Sequence, residues 1–224
     1  SSAAASFAGL DELRVVILTA RGKAFCAGAD LKERRGMSDE QVLETVRGIG
    51  QMVRDIAAIE VPTIAAIPGA ALGGGLELAL GCDMRLASEA AKIGLPECSL
   101  AIIPGAGGTQ RIARLVGPSR AKRWVFTAGV HTAAQALTDG LVDQVLAAGQ
   151  LEDASLDLAA QIARCGPVAL RAAKSAIDEG LSEASLESAL AVETRHYLRT
   201  IPTEDRREAL AAFAEKRKPQ FRGC

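Results

Sequence analysis

Apolar positions follow two rhythms along this chain. In the first half they cluster in short runs: Arg14-Val15-Val16-Ile17-Leu18-Thr19 and Thr63-Ile64-Ala65-Ala66-Ile67, both holding several β-branched residues, and Asp83-Met84-Arg85-Leu86-Ala87-Ser88, which holds none. The first two, apolar and without alternation, read as buried strands, and the third looks like another strand. Between the first two, Val42, Val46, Ile49, Val53 and Ile56 recur every three or four residues behind Ser38-Asp39-Glu40-Gln41. The tetrapeptide resembles a capping box, and the spacing predicts a helix to about Ile59, ended by Val61-Pro62. Pro68-Gly69 turns the second strand towards Gly73-Gly74-Gly75, which opens a helix carrying Glu77. From Thr109 the rhythm becomes helical, through Arg120 to Phe126, Thr132 to Gly140, Glu152 to Cys165, and Pro167 to the end. Strand, crossover and strand repeated, then a helical tail, predicts an α/β fold with a parallel sheet wrapped by helices.

Composition narrows the function. At 224 residues the chain suits one large α/β domain, or one with a small appendage. A net charge of −1 provides no global field for nucleic acid or an anionic membrane, and 3% aromatic residues make a poor base-stacking surface. No apolar run reaches the roughly 18 residues that span a bilayer, and Ser1 to Phe7 lack the basic residues of a targeting peptide, so a soluble protein is expected. Cys26, Cys82, Cys98, Cys165 and Cys224 show neither metal-ligand spacing nor a disulfide framework, which fits a reducing compartment. His131 and His196 offer little for a triad or a metal site; His131 reads as a loop or helix-cap residue and His196, inside a helical pattern, similarly as a structural one; no metal is expected.

The candidate chemistry lies in two glycine-framed glutamates. Glu77 follows Gly73-Gly74-Gly75, and Glu97, in Gly94-Leu95-Pro96-Glu97, is followed by Ile103-Pro104-Gly105-Ala106-Gly107-Gly108-Thr109. Carboxylates move protons, and glycines let backbone N–H groups approach a substrate. At the start of a helix Gly74 presents such an N–H, and Ala27, in Phe25-Cys26-Ala27-Gly28-Ala29-Asp30 after another strand, is placed to present a second; two donors make an oxyanion hole. Singly, each feature has a plainer reading: a tight strand-to-helix crossing, a carboxylate favouring its helix dipole, a solvated loop carboxylate. The triple glycine matches neither GxGxxG nor a P-loop. The combination favours chemistry, because a separation of twenty residues lets the chain return Glu97 to the same end of the sheet. The segment from Ala91 to Gly108 is expected to be a functional loop.

Gly22 to Leu31, Ala71-Leu72-Gly73-Gly74-Gly75-Leu76-Glu77-Leu78-Ala79, Cys82-Asp83 and Ile103-Pro104-Gly105-Ala106-Gly107-Gly108-Thr109-Gln110-Arg111 resemble the enoyl-CoA hydratase/isomerase (crotonase) superfamily. The likeness runs from about Leu13 to Phe213–Phe221. Leu100–Gly105 and Ile201–Arg206 are most similar to the methylglutaconyl-CoA hydratase branch. The resemblance implies a spiral of ββα units with a helical C-terminal region used in trimerisation, as a homotrimer or homohexamer. It matches Glu77 and Glu97 to the two catalytic glutamates, Ala27 and Gly74 to the oxyanion hole, and Gly105 to the backbone donor near the reacting water. Ala27, Gly28, Ala29, Asp30 and Leu31 match the stretch along the CoA path, and the helix from Ser38 with residues near Trp124 the acyl pocket. Hydration of an enoyl-CoA thioester is the implied activity, with coenzyme A as part of the substrate and no separate cofactor. Isomerases of the superfamily often keep one glutamate, and dienoyl isomerases resemble this pattern with aspartates where this chain has Glu77 and Gly105. The alternatives are therefore an enoyl-CoA isomerase or a non-catalytic RNA-binding or scaffold member, the latter disfavoured by the near-neutral charge.

The same resemblance divides the chain into a lead of residues 1–12, non-native-looking or disordered, a crotonase-like core of 13–140 without the family's first strands, and a helical region of 141–224. It places the protein in a bacterial cytoplasm or a mitochondrial matrix, without a membrane. Arg120, Lys122 and Arg123 form the densest basic cluster, read as a solvated helix face or as partners for the CoA phosphates.

Overall fold

Each long apolar run of the first half forms a strand, and each is followed by a second strand too short for any periodicity to reveal. The computed structural model describes residues 7, 10, 12–147 and 149–224; the expected lead of 1–12 thus lies outside the described residues apart from Phe7, Leu10 and Glu12. β1 (Val16–Leu18), β3 (Thr63–Ile67), β5 (Met84–Ser88) and β8 (Gln144–Leu146) form one sheet in the order β1-β3-β5-β8. β2 (Ala24–Cys26), β4 (Ala70–Leu72), β6 (Lys92–Gly94) and β7 (Val130–Thr132) form a second in the order β2-β4-β6-β7. The chain therefore lays one strand in each sheet and then a helix, turn after turn, which is the crotonase-like spiral of ββα units. The single parallel sheet expected from the apolar runs is replaced by two, and β6 and β7 pair antiparallel. Three-residue strands such as Ala24–Cys26 and Ala70–Leu72 sit inside segments that composition marks as loops.

The helices of this unit are α1 (Leu31–Arg34), α2 (Asp39–Ala57), α3 (Gly74–Leu80), α4 (Gly108–Phe126) and α5 (Ala133–Asp139). α2 begins at the capping box read from the sequence: Ser38 N–H donates to Gln41 Oε1 at 2.8 Å and Gln41 N–H to Ser38 Oγ at 3.3 Å. α4 is broken where Gly117 takes φ 79° ahead of Pro118, whose ring excludes a continuous helical ladder. Around them Ile67, Leu76, Ile93, Leu95, Ile112, Trp124 and Leu141 are fully buried. Each contributes about 1.5–3 kcal/mol by leaving water.

Polar residues register the first sheet. Thr63 N–H and Oγ1 donate to Asp83 Oδ2 at 2.7 and 2.9 Å, joining the starts of β3 and β5. Buried Arg85 donates to the carbonyls of Cys82, Asp83 and Leu141 at 2.7, 3.1 and 2.9 Å. Burial pulls its pKa below the usual arginine value, against the opposing pull of Asp143.

A second compact unit comprises Glu60–Pro62, Asp157–Cys224 and a segment ending at Val16. Its helices include α7 (Pro167–Gly180), α8 (Leu186–Leu198) and α9 (Glu204–Ala214), and α6 (Leu151–Ala163) leads into it. α7 and α8 are joined by buried His196, whose Nε2 lies 3.0 Å from Glu179 Oε1. The closeness of His196, with Arg195 beside it, holds Glu179 below the ordinary carboxylate range. His196 thus lies inside the helical pattern, buried in the last turn of α8. The tail folds back on α9, with Arg222 and Gly223 N–H groups donating to the Asp205 carboxylate at 2.7 and 2.8 Å. No helix among the described residues is long and apolar enough to cross a membrane.

Candidate active site

Ligands of parallel sheets bind beyond the carboxyl ends of the strands. In the second sheet β2, β4 and β6 run parallel, with Cys26 opposite Ala71 and Leu72 opposite Gly94, so their exits share one edge. The chain leaves them as Ala27-Gly28-Ala29, Gly73-Gly74 and Leu95-Pro96-Glu97. With α2 and the 100–106 segment these exits enclose a cavity of about 550 Å³.

Two of the three glycines, Gly73 and Gly75, are required by their surroundings. A Cβ on Gly75 would lie 1.9 Å from Cys26 O, so β2 and the start of α3 approach as backbone against backbone. Gly73 takes φ 53°, and a Cβ there would also lie 3.0 Å from Glu97 Oε1. Gly74, the first residue of α3, has no intrahelical acceptor for its N–H.

Glu77 is 3% exposed and Glu97 9%. Glu77 Oε1 accepts from the N–H groups of Ala106 and Gly108 at 2.7 and 2.8 Å, at the amino end of α4 where the helix dipole favours a negative charge. Its Oε2 lies on the side of Gly74, 4.0 Å from where a Cβ would stand. The two carboxylates therefore flank the Gly73-Gly74 turn, one held by the backbone of the next segment and one carried on the 3-10 turn Pro96–Leu100.

Of the residues singled out in the sequence, Ala27, Gly28, Ala29, Gly74, Glu77, Glu97 and Gly105 all line the cavity. Asp30 instead caps α1, its Oδ1 accepting from Lys32 N–H at 2.7 Å, and the side chain of Leu31 lies outside the described residues. Trp124 itself does not line the cavity: fully buried, it donates from Nε1 to Asp139 Oδ2 at 2.8 Å and packs against His131 with ring centroids 4.2 Å apart. His131 is accordingly a strand residue of β7, opposite Ile93, rather than a loop or cap residue. Arg120 and Arg123 do not form a simple solvated face either. Both turn to Asp139, at 3.7 and 2.7 Å.

That Ala106 and Gly108 hold Glu77 has no local signal beyond the glycine-rich setting that marks a donor loop. Leu100, Ile102 and Ile103 at the rim were also unforeseen, since an apolar run inside a loop resembles core. Among the described residues no group of three or more His, Cys, Asp or Glu side chains could hold a metal ion.

A two-sheet spiral of ββα units is the architecture of the crotonase fold. The sequence model of the enoyl-CoA hydratase/isomerase family matches residues 3–224, and the chain belongs to that family of enzymes. It is 54% identical over 212 residues to a putative enoyl-CoA hydratase/isomerase, YngF, of Bacillus subtilis, covering 94% of this chain and 81% of that one. It is 53% identical over 203 residues to the mitochondrial methylglutaconyl-CoA hydratase of Homo sapiens, covering 89% and 60% of the two chains. A crystal structure of an enoyl-CoA hydratase from Bacillus anthracis superposes with a TM-score of 0.97 at 47% identity, covering all of this chain and 86% of that one.

Proposed function

We propose that this protein adds water across the 2,3 double bond of an enoyl-CoA thioester, as a hydro-lyase. The observation that carries the reading is the convergence of two buried carboxylates on the Gly73-Gly74 turn, with Glu77 fixed by two backbone donors. The thioester carbonyl sits against the N–H groups of Ala27 and Gly74, which stabilise the negative charge that develops on its oxygen as C3 is attacked. Water lies between Glu77 and Glu97 with Gly105 N–H as a further donor. One carboxylate takes a proton from the water as its oxygen bonds to C3, and a proton is delivered to C2, so the charge returns from the enolate oxygen. The two carboxylates act as one coupled acid/base pair around that water.

Coenzyme A enters as part of the substrate along Ala27–Leu31, and the chemistry needs no further cofactor. A pair of carboxylates supports hydration over a simple double-bond shift, for which one base suffices. Assembly as a homotrimer or a dimer of trimers is part of the same reading. It is supported by large apolar side chains left exposed in the C-terminal helices, such as Leu186 at 75% and Phe213 at 85%, and sedimentation would test it. Free cysteines at 26, 82, 98, 165 and 224 support a reducing compartment, a bacterial cytoplasm or a mitochondrial matrix.

The test is loss of the conjugated-thioester absorbance of crotonyl-CoA, with Glu97→Gln as control. Loss that the variant abolishes supports hydration. Migration of a 3-enoyl double bond into conjugation, without hydration, would replace that reading with an isomerase, and retention of full hydration by the variant would remove Glu97 from it.

A further inference from the structure

Helix α2 reaches the cavity from outside the sheets. Val42, Val46 and Ile49 line the cavity from α2, at spacings that place them on one helix face. Val46 does more than line. A Cβ on Gly105 would lie 2.7 Å from Val46 Cγ1, so a valine methyl occupies the space that a side chain at 105 would take. One turn on, Gly50 is buried, and a Cβ there would meet Ala106 Cα at 3.8 Å and Gly105 O at 3.9 Å. The backbone of 105–106 is thus backed by α2. The N–H groups of Ala106 and Gly108 in turn hold Glu77 Oε1 at 2.7 and 2.8 Å.

We propose that Val46 is a positioning and specificity-determining residue. Its γ-methyls set the place of the 105–108 backbone, and through it the orientation of Glu77; the same methyls set the width of acyl chain that passes beside that backbone. Valine suits the role because a β-branched side chain in a helix is held in one dominant χ1 rotamer, so the position of its methyls is fixed. Val46 is half-buried at the cavity wall, so deleting its methyls removes a support of the neighbouring segment without leaving a closed void, and a displacement of about 1 Å at a catalytic group can cost on the order of 100-fold in rate.

The kinetic half of this proposal rests on the hydratase reading; the structural half rests on the packing alone. Val46→Ala and Val46→Ile in the full chain test both, by amide hydrogen exchange at Ala106 and Gly108 and by steady-state hydration of straight and 3-methyl-branched enoyl-CoA thioesters. In Val46→Ala the two amides should exchange about tenfold faster and kcat for crotonyl-CoA should fall about tenfold with little change in KM, while the branched substrate gains relative to the straight one. Val46→Ile keeps both γ carbons, so exchange and crotonyl-CoA turnover should recover while the branched substrate is penalised. Unchanged amide exchange in Val46→Ala would overturn the positioning role. A change confined to KM for the branched substrate would also overturn it, leaving Val46 as wall. If no enoyl-CoA is hydrated even by the wild type, the hydratase reading fails separately, and the exchange data still decide whether Val46 holds the segment.

Discussion

Glu77 and Asp139 are both buried carboxylates, at 3% and 4% exposure, and both accept short hydrogen bonds. Glu77 is held at one oxygen by two backbone N–H groups and turns the other towards Gly74 and the cavity. Asp139 is enclosed by side chains: Arg123 Nη2 donates at 2.9 and 2.7 Å to its two oxygens, Trp124 Nε1 at 2.8 Å to one of them, and Arg120 lies at 3.7 Å. Burial of a carboxylate therefore does not by itself mark chemistry. What separates the two is an oxygen directed at a space that a substrate can fill.

Glu77→Gln or Glu97→Gln should break the comparison most sharply. Each should lower hydration by about 100 to 10,000-fold while leaving thioester binding intact, measured by turnover and by calorimetry with a saturated acyl-CoA. Asp139→Asn should leave kcat unchanged. An equal loss of rate in Asp139→Asn would erase the distinction between the two carboxylates.

Gly75→Ala comes next, acting on the frame rather than on the carboxylates. Its new methyl would fall 1.9 Å from Cys26 O, a backbone atom that cannot swing aside, so strand and helix must separate. A loss of about 3 kcal/mol is expected, read from urea unfolding. Wild-type stability in this variant would show that the approach of β2 to α3 is looser than its geometry indicates.

Asp139→Ala should cost about 2 kcal/mol, because it leaves Trp124 Nε1–H buried without an acceptor. For the Asp139 carboxyl, burial works to raise the pKa, but hydrogen bonds from Trp124, Arg123 and Gln135 outweigh it and hold the group below the ordinary value. Since the folded carboxyl binds its proton less readily than the unfolded one, this stabilisation is complete above the unfolded pKa of about 3.9 and is lost as pH falls through the lower folded value. Relative to wild type, Asp139→Asn should therefore lose stability at neutral pH and show a flatter acid limb below about pH 4. Parallel acid limbs in the two proteins would assign the acid sensitivity to other groups.

The difference between these regions also explains what could be read in advance. Glu77, Glu97, Gly74 and Ala27 were legible because glycine clusters and isolated carboxylates stand out from composition, and because their spacing fitted a return to one sheet edge. α2 was legible from its capping box and from Val42 to Ile56. The short strands β2, β4, β6 and β7 were not, since three residues cannot display a period and their burial is set by pairing partners far along the chain. The Asp139 cluster was hidden for a related reason. Its acceptor stands 15 and 16 residues from Trp124 and Arg123, so a local reading registers only a basic helix face.

Arg123 sharpens the contrast at the smallest scale. Its side chain is 53% exposed, yet both Asp139 oxygens take hydrogen bonds from its Nη2. An arginine that completes the Asp139 cluster should, when changed to alanine, cost up to about 1 kcal/mol, since its open side stays solvated and the pair is partly screened. Lost packing of its aliphatic stem would add to that without altering the sign. An arginine that binds the CoA phosphates should instead raise KM for every CoA thioester, and raise it more at low salt, with no loss of stability. Thermal unfolding and KM measured on Arg123→Ala at two ionic strengths separate these roles, and the geometry at Asp139 predicts the first: a small fall in Tm with KM unmoved.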